Sequence, residues 1–127
     1  MKLELDRVPI SVNHAYYFKR FGNRTIKIKT TKAKEFFNYV KSKVVEKKLI
    51  KLFLEPVDVR ITIFFDDKRR RDIENYTKIM LDALTGLFWK DDSQIYHLVL
   101  RKAFGKERTI IEVKPYESSV LFDIEII

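Results

Sequence analysis

The stretch VDVRITIFFDDKRRRDIENYTKIMLDAL, residues 57–84, decides the fold. At its start Val57, Val59, Ile61, Ile63 and Phe65 alternate with Asp58, Arg60 and Thr62, the two-residue period of a β-strand with one apolar face. From about Ile73 to Leu84 the period changes. Ile73, Thr77, Met80 and Leu84 form one helical stripe, and Gly86 supplies a stop signal. Between the two periods stands a run of cations, Lys68 to Arg71.

Working outward, LELD (3–6) reads as a short strand and VPISVNHAYYFKRFGNR (8–24) as an irregular loop. TIKIK (25–29) reads as a second strand, with Ile26 and Ile28 inward and Lys27 and Lys29 outward. Ala33, Phe36, Phe37, Val40 and Val44 predict a helix from Thr31 to about Val45, with Thr31 as its N-cap. IYHLVLRKAF (95–104) and TIIEV (109–113) read as an antiparallel hairpin across Gly105. The expected fold is α+β: a small mixed sheet with two main helices, in a single domain over residues 1–115. The remainder, YESSVLFDIEII (116–127), is acidic and apolar; a final strand, a partner-binding segment and a disordered end all fit it.

A chain of 127 residues is long enough to bury a core without staples, and 46% hydrophobic with 35% charged residues fits a folded protein. The absence of cysteine excludes disulfides, thiolate metal ligands and a cysteine nucleophile, and it favours a reducing compartment. No apolar run approaches the roughly 18 residues of a membrane span, and no signal-peptide pattern opens the chain. The expectation is a cytoplasmic protein with no membrane partner. The net charge is +8, and no carboxylate stands between Asp6 and Glu35, where Arg7, Lys19, Arg20, Arg24, Lys27, Lys29, Lys32 and Lys34 lie. That asymmetry points to a polyanion, nucleic acid first, although a solvated lysine-rich face accounts for the charge equally well.

The cations at 68–71 are followed at once by Asp72 and Glu74, and Asp91 and Asp92 come later. Phosphodiester hydrolysis needs an activated water and neutralisation of developing negative charge. A hard divalent ion such as Mg²⁺ does both when a few carboxylates hold it. Carboxylates alone repel DNA, and flanking cations offset that repulsion. Residues two apart on a helix point about 200° apart, so Asp72 and Glu74 can share an ion only if Asp72 lies on the strand-to-helix junction. An Asp there is also a natural N-cap.

Glu74 and Lys78 share one helical face, from which Lys78 can stabilise the charge of a pentacovalent phosphate or position the attacking water. A helix of about 11 residues carries the chain roughly 16 Å away. The stretch Thr85 to Asp92 can span about 26–29 Å, enough to return. On spacing alone the plain readings stand as well: Asp72 as a cap, Glu74, Lys78 and Asp82 as a surface ladder, Asp91 and Asp92 as turn residues. His14 and His97 show no ligand spacing, and His97 reads as a packed or edge residue.

RRRDIENYTKIMLDALTGLFWKDDSQI (69–95) resembles the RusA family of Holliday junction resolvases through R-D-x-[D/E]-N-x-x-K, D-A-L and F-W-x-D-D-x-Q. PISVNHAYY (9–17) resembles the family's P-P-S-x-N-x-x-Y segment, with Ile10 in place of a second proline. The resemblance runs from about Pro9 to Val113. It implies a small homodimeric, Mg²⁺-dependent endonuclease, with Mn²⁺ as a substitute, cutting four-way DNA junctions at the nucleoid, often from a prophage.

By the same resemblance the metal carboxylates fall on Asp72, Glu74 and Asp92, and the functional lysine on Lys78. DNA contacts fall on Ser11, Val12, Asn13 and His14, and on Lys68, Arg69, Arg70, Arg71 and Asn75. Glu74 stands where the family more often has Asp, and the stretch from Gly86 to Phe88 is one residue shorter, so Asp92 rather than Asp91 follows from alignment to Trp89. Phe64 and Phe65 precede the basic run, as a wedge into a junction, a dimer contact or, for Phe65, plain core. A non-catalytic junction-binding module and a metal-dependent nuclease for other branched nucleic acids remain the alternatives.

Overall fold

The computed structural model describes residues 1–117. In chain order its elements are β1 (Lys2–Leu5), α1 (Val12–Ala15), β2 (Tyr16–Phe21), β3 (Arg24–Lys29), α2 (Thr31–Glu46), β4 (Val57–Phe65), α3 (Glu74–Leu84), a 3₁₀ turn (Asp92–Gln94), β5 (Ile95–Phe104) and β6 (Arg108–Pro115). Four strands form a mixed sheet in the order β1-β6-β4-β5, and β2 and β3 form a separate two-stranded ribbon. This is the expected single α+β domain. The readings of the acidic tail fall almost wholly on residues 118–127, outside the described residues.

The alternation in β4 works as its sequence requires. Val57, Val59, Ile61, Ile63 and Phe65 are all buried, against Phe36, Val40 and Val44 of α2 and Ile79, Met80 and Leu84 of α3 in one core. Each fully buried aliphatic side chain contributes roughly 1.5–3 kcal/mol, so these two stripes hold both helices to the sheet. The opposite face of β4 holds a surprise. Asp58 is only 1% exposed, and its Oδ1 lies 3.1 Å from His97 Nδ1 on β5. Arg60 and Lys114 flank its other oxygen at 3.7 and 3.9 Å. His97 is thus a half-buried residue of the edge strand β5, with a carboxylate as its partner.

Three expectations need correction. First, β5 and β6 are not a hairpin: β4 lies between them, parallel to β5 and antiparallel to β6. Strands sit about 4.8 Å apart, so stepping over one strand spans roughly 10 Å, within reach of the three-residue link 105–107. The Gly105 amide donates to the Phe65 carbonyl (2.9 Å), where the chain turns across the end of β4. Second, only residues 8–11 are irregular, residues 12–24 forming α1, β2 and the start of β3, and TIKIK does not join the main sheet. Gly22, at φ +59°, makes Gly22–Asn23 a two-residue loop between YYFKRF and RTIKIK, and the strands pair from Tyr16↔Lys29 to Phe21↔Arg24. Ile28 is half-buried, but Ile26 is 40% exposed rather than inward. Third, the N-cap of α2 is Thr30. Its Oγ1 accepts from the Ala33 amide (3.2 Å) while donating to the His14 carbonyl (2.7 Å), which fixes the ribbon's exit to α1.

Candidate active site

The face of α3 turned away from the core carries Glu74, Lys78 and Asp82 at successive four-residue intervals, which aligns them along one edge of the helix. They line a cleft of about 220 Å³ together with Thr77, Leu81, Leu100 and, from beyond the helix, Asp92. The chain that leaves α3 therefore does return. Its path is fixed from within. Phe88 and Trp89 are fully buried, and Trp89 Nε1 donates to Thr85 Oγ1 (3.0 Å). The Phe53 amide donates to the Phe88 carbonyl (2.8 Å).

Gln94 completes the lock. Its amide nitrogen donates to the carbonyls of Phe53 (2.9 Å) and Glu55 (3.1 Å), and its Oε1 accepts from the amides of Lys90 (2.8 Å) and Asp91 (3.0 Å). Those bonds separate the roles of the two adjacent acids. Asp91 accepts from the Ser93 hydroxyl (2.6 Å), which holds its carboxyl below the usual range. Asp92 faces the cleft.

Asp72 sits apart. Its Oδ1 accepts from the Glu74 amide (3.2 Å) and its carbonyl from the Asn75 amide (3.2 Å), so it caps α3 from just outside the helix, as its place at the junction suggested. It does not line the cleft with Glu74 and Asp92. Among the described residues no three acidic or histidine side chains converge closely enough to enclose a metal ion. Two carboxylates with a nearby lysine still suit a hydrated Mg²⁺, which takes one or two carboxylates and keeps several waters.

Asp82, read from the sequence only as part of a surface ladder, belongs to the cleft. The Tyr16 hydroxyl donates to its Oδ2 (2.8 Å), and burial, reinforced by that carboxylate, pushes the Tyr16 phenol well up. The sequence alone singles out neither Tyr16, which bonds Asp82, nor Gln94, which fixes the loop that carries Asp92. Both occupy fixed letters of the motifs quoted above, the final Y of P-P-S-x-N-x-x-Y and the Q of F-W-x-D-D-x-Q.

A second hollow holds cations and carboxylates together: Lys32, Arg69 and Arg71 with Asp66 and Glu107. Ser11 and His14 line it together with Arg69, Arg71 and Tyr76, so two segments far apart in sequence meet in one hollow of about 360 Å³. A neighbouring hollow of about 410 Å³ is lined by Lys68, Arg69, Arg70 and Lys102. Within this surface the predicted DNA-contacting residues differ. Lys68, Arg69 and Arg70 are exposed, as are Asn13 and His14. Val12 packs against the core, and Ser11 caps α1 by accepting from the Asn13 amide (3.3 Å).

Arg71 forms a two-pronged pair with Asp67 (2.6 and 3.1 Å) and stacks over Phe65 at 4.5 Å. Its guanidinium draws the Asp67 carboxyl down to about 2. Phe65 is core, also edge-on to Tyr76, while Phe64 lies half-buried under Arg108 (4.2 Å).

Residues 8–114 match the family described as Endodeoxyribonuclease RusA. Crossover junction endodeoxyribonuclease RusA of Escherichia coli strain K12 is 42% identical over 64 residues, which cover 46% of this chain and 53% of the relative. The protein of that name from Enterobacteria phage 82 gives the same figures, and the one from Aquifex aeolicus is 35% identical over 66 residues, covering 49% and 52%. The matched region thus spans about half the length of these curated relatives. With a family match over most of its length, the chain belongs to the RusA endodeoxyribonuclease family.

Proposed function

We propose that this protein is a structure-selective endonuclease that hydrolyses phosphodiester bonds in four-way DNA junctions as a Mg²⁺-dependent homodimer. The observation that carries the reading is the return of Asp92 to the Glu74–Lys78 edge of α3, in a chain whose basic run meets Ser11 and His14 in a second hollow. The printed names of the relatives, crossover junction endodeoxyribonucleases, support the substrate.

In this mechanism the cations at Lys68 to Arg70 hold the sugar–phosphate backbone against the acidic cleft. Glu74 and Asp92 would hold a hydrated Mg²⁺, which supplies a more acidic water and screens the phosphate charge. Lys78, on the same helical edge, donates to a non-bridging phosphate oxygen as negative charge builds there. Attack of water on phosphorus breaks the P–O3′ bond. The water's proton passes to solvent or to a cleft carboxylate, and the departing 3′ oxygen takes a proton, leaving a 5′-phosphate and a 3′-hydroxyl, the polarity that the family resemblance implies. A junction has near two-fold symmetry and is nicked on two opposed strands; an isologous dimer supplies two cleft sites related by that symmetry.

The test is an end-labelled synthetic junction incubated with the protein, with and without Mg²⁺. Paired nicks on opposed strands that require the ion, with linear duplex left intact, are expected. Binding without nicks would replace the reading by a non-catalytic junction-binding module. Equal cutting of flaps and forks would replace it by a general branched-DNA nuclease.

A further inference from the structure

We propose that the β2–β3 ribbon is a second DNA-gripping element, an arm whose cations hold backbone phosphates while Phe18 and Phe21 stack on bases unpaired at the branch point. The inference rests on the junction reading above. Nothing in the fold requires the ribbon's exposed aromatic side chains: Phe18 is 70% exposed, Phe21 50% and Tyr17 49%. The ribbon pairs only with itself, and its strands do not extend the main sheet.

The register fixes what each face offers. Tyr17, Lys19 and Phe21 share one face with Ile28, Ile26 and Arg24; Phe18 and Arg20 lie on the other, opposite Lys27 and Thr25. Rings and cations are therefore interleaved on both faces, with Lys19 Nζ 5.2 Å from the Phe21 ring centroid. Interleaving of this kind suits single-stranded nucleic acid, where aromatic rings stack on bases and cations follow the phosphates.

A second copy of this chain is the other occupant to weigh, and charge argues against it. No acidic residue lies between Asp6 and Glu35, so in a two-fold contact the ribbon would meet its own positive charge. A polyanion meets no such repulsion. The arm is also anchored where a grip is useful. Tyr16, its first residue, is bonded to Asp82 in the cleft wall, and Thr30, just past its last residue, is bonded to Ala15 and His14 (2.9 and 2.7 Å). DNA held by the ribbon would therefore be held against the cleft that carries Glu74 and Asp92.

The test measures binding in chelator, where no cutting interferes. Fluorescence anisotropy is followed for a junction and for a linear duplex, and a 2-aminopurine at the branch point reports stacking. The variants are Phe18→Ala alone, Phe18→Ala with Phe21→Ala, and Lys19→Gln with Arg20→Gln. Phe18 is so exposed that its removal leaves the fold intact, which thermal melting checks. Loss of the two rings is expected to weaken junction binding by about tenfold or more, to spare linear duplex, and to abolish the quenching of 2-aminopurine. The charge variant is expected to lower the salt slope of binding by about one per cation removed. Junction binding and quenching that survive loss of both rings would overturn the arm while leaving the nuclease reading intact. A dimer that dissociates in the ring variants would make the ribbon a self-association surface and overturn it too. Wild-type protein that does not prefer the junction would remove the underlying reading, and the arm with it.

Discussion

The hydroxyl of Tyr16 reaches across 66 residues of sequence to Asp82 Oδ2, tying the first residue of the ribbon to the wall of the cleft. Burial raises the Tyr16 phenol above its ordinary value of 10, and the carboxylate adds to the rise. With a folded-state pKa above the unfolded one, this bond contributes fully below about pH 10 and is lost as pH climbs past the folded value. Tyr16 is expected to be among the last tyrosines to ionise in a phenolate absorbance titration. Tyr16→Phe should remove that late step and cost about 1 kcal/mol of stability in a denaturant melt.

Asp67 behaves in the opposite sense. Its carboxyl is drawn down to about 2, first by the Arg71 guanidinium and then by the Arg69 amide, from an ordinary 3.8. The link is complete above about pH 4 and disappears as pH falls through 2. A carboxyl-detected NMR titration should place Asp67 well below 3.8, and Arg71→Gln should return it toward that value.

Because Arg71 is engaged with Asp67, it is poorly placed to hold phosphate. Lys68→Gln, Arg69→Gln and Arg70→Gln should each lower the slope of log affinity against log salt by about one. Arg71→Gln should change the slope less while loosening the loop, visible as faster proteolysis within residues 66–71. Equal slopes for all four variants would contradict this division.

The neighbours Asp91 and Asp92 should also part company. Asp92→Asn is expected to abolish junction cutting with binding preserved or tightened, whereas Asp91→Asn should keep most of the activity, since its carboxylate serves the Ser93 hydroxyl. Gln94→Ala should lower activity through position rather than chemistry. It frees the carbonyls of Phe53 and Glu55 and costs about 1–3 kcal/mol. Restoring activity at lower temperature would mark the effect as structural.

Much of this architecture is legible along the chain because the core is periodic. The β4 alternation and the α2 and α3 stripes identify their buried faces, and the motif around Trp89 marks the loop that brings Asp92 home. What escaped depends on pairing across space. Of the ribbon only β3 shows an alternation, at Ile26 and Ile28; its partner YYFKRF, mostly exposed, shows none, and Gly22–Asn23 is the one turn signal between them. The β5–β6 link has a length suited to a hairpin, and nothing local reveals that β4 separates its strands. Asp58 reads as a solvent-facing residue on a strand, and only the fold brings His97 against it. In the cleft, Glu74 and Lys78 follow from helical spacing, while Asp82 needed Tyr16 and Asp92 needed Gln94 to show their places.

A crystal soaked in Mn²⁺ and measured for anomalous scattering tests the account where it is most exposed. The ion is expected in the cleft, bound directly to Glu74 and Asp92 and within reach of Lys78. Mn²⁺ bound elsewhere on the chain, or a cleft that stays empty at saturating Mn²⁺, would contradict it.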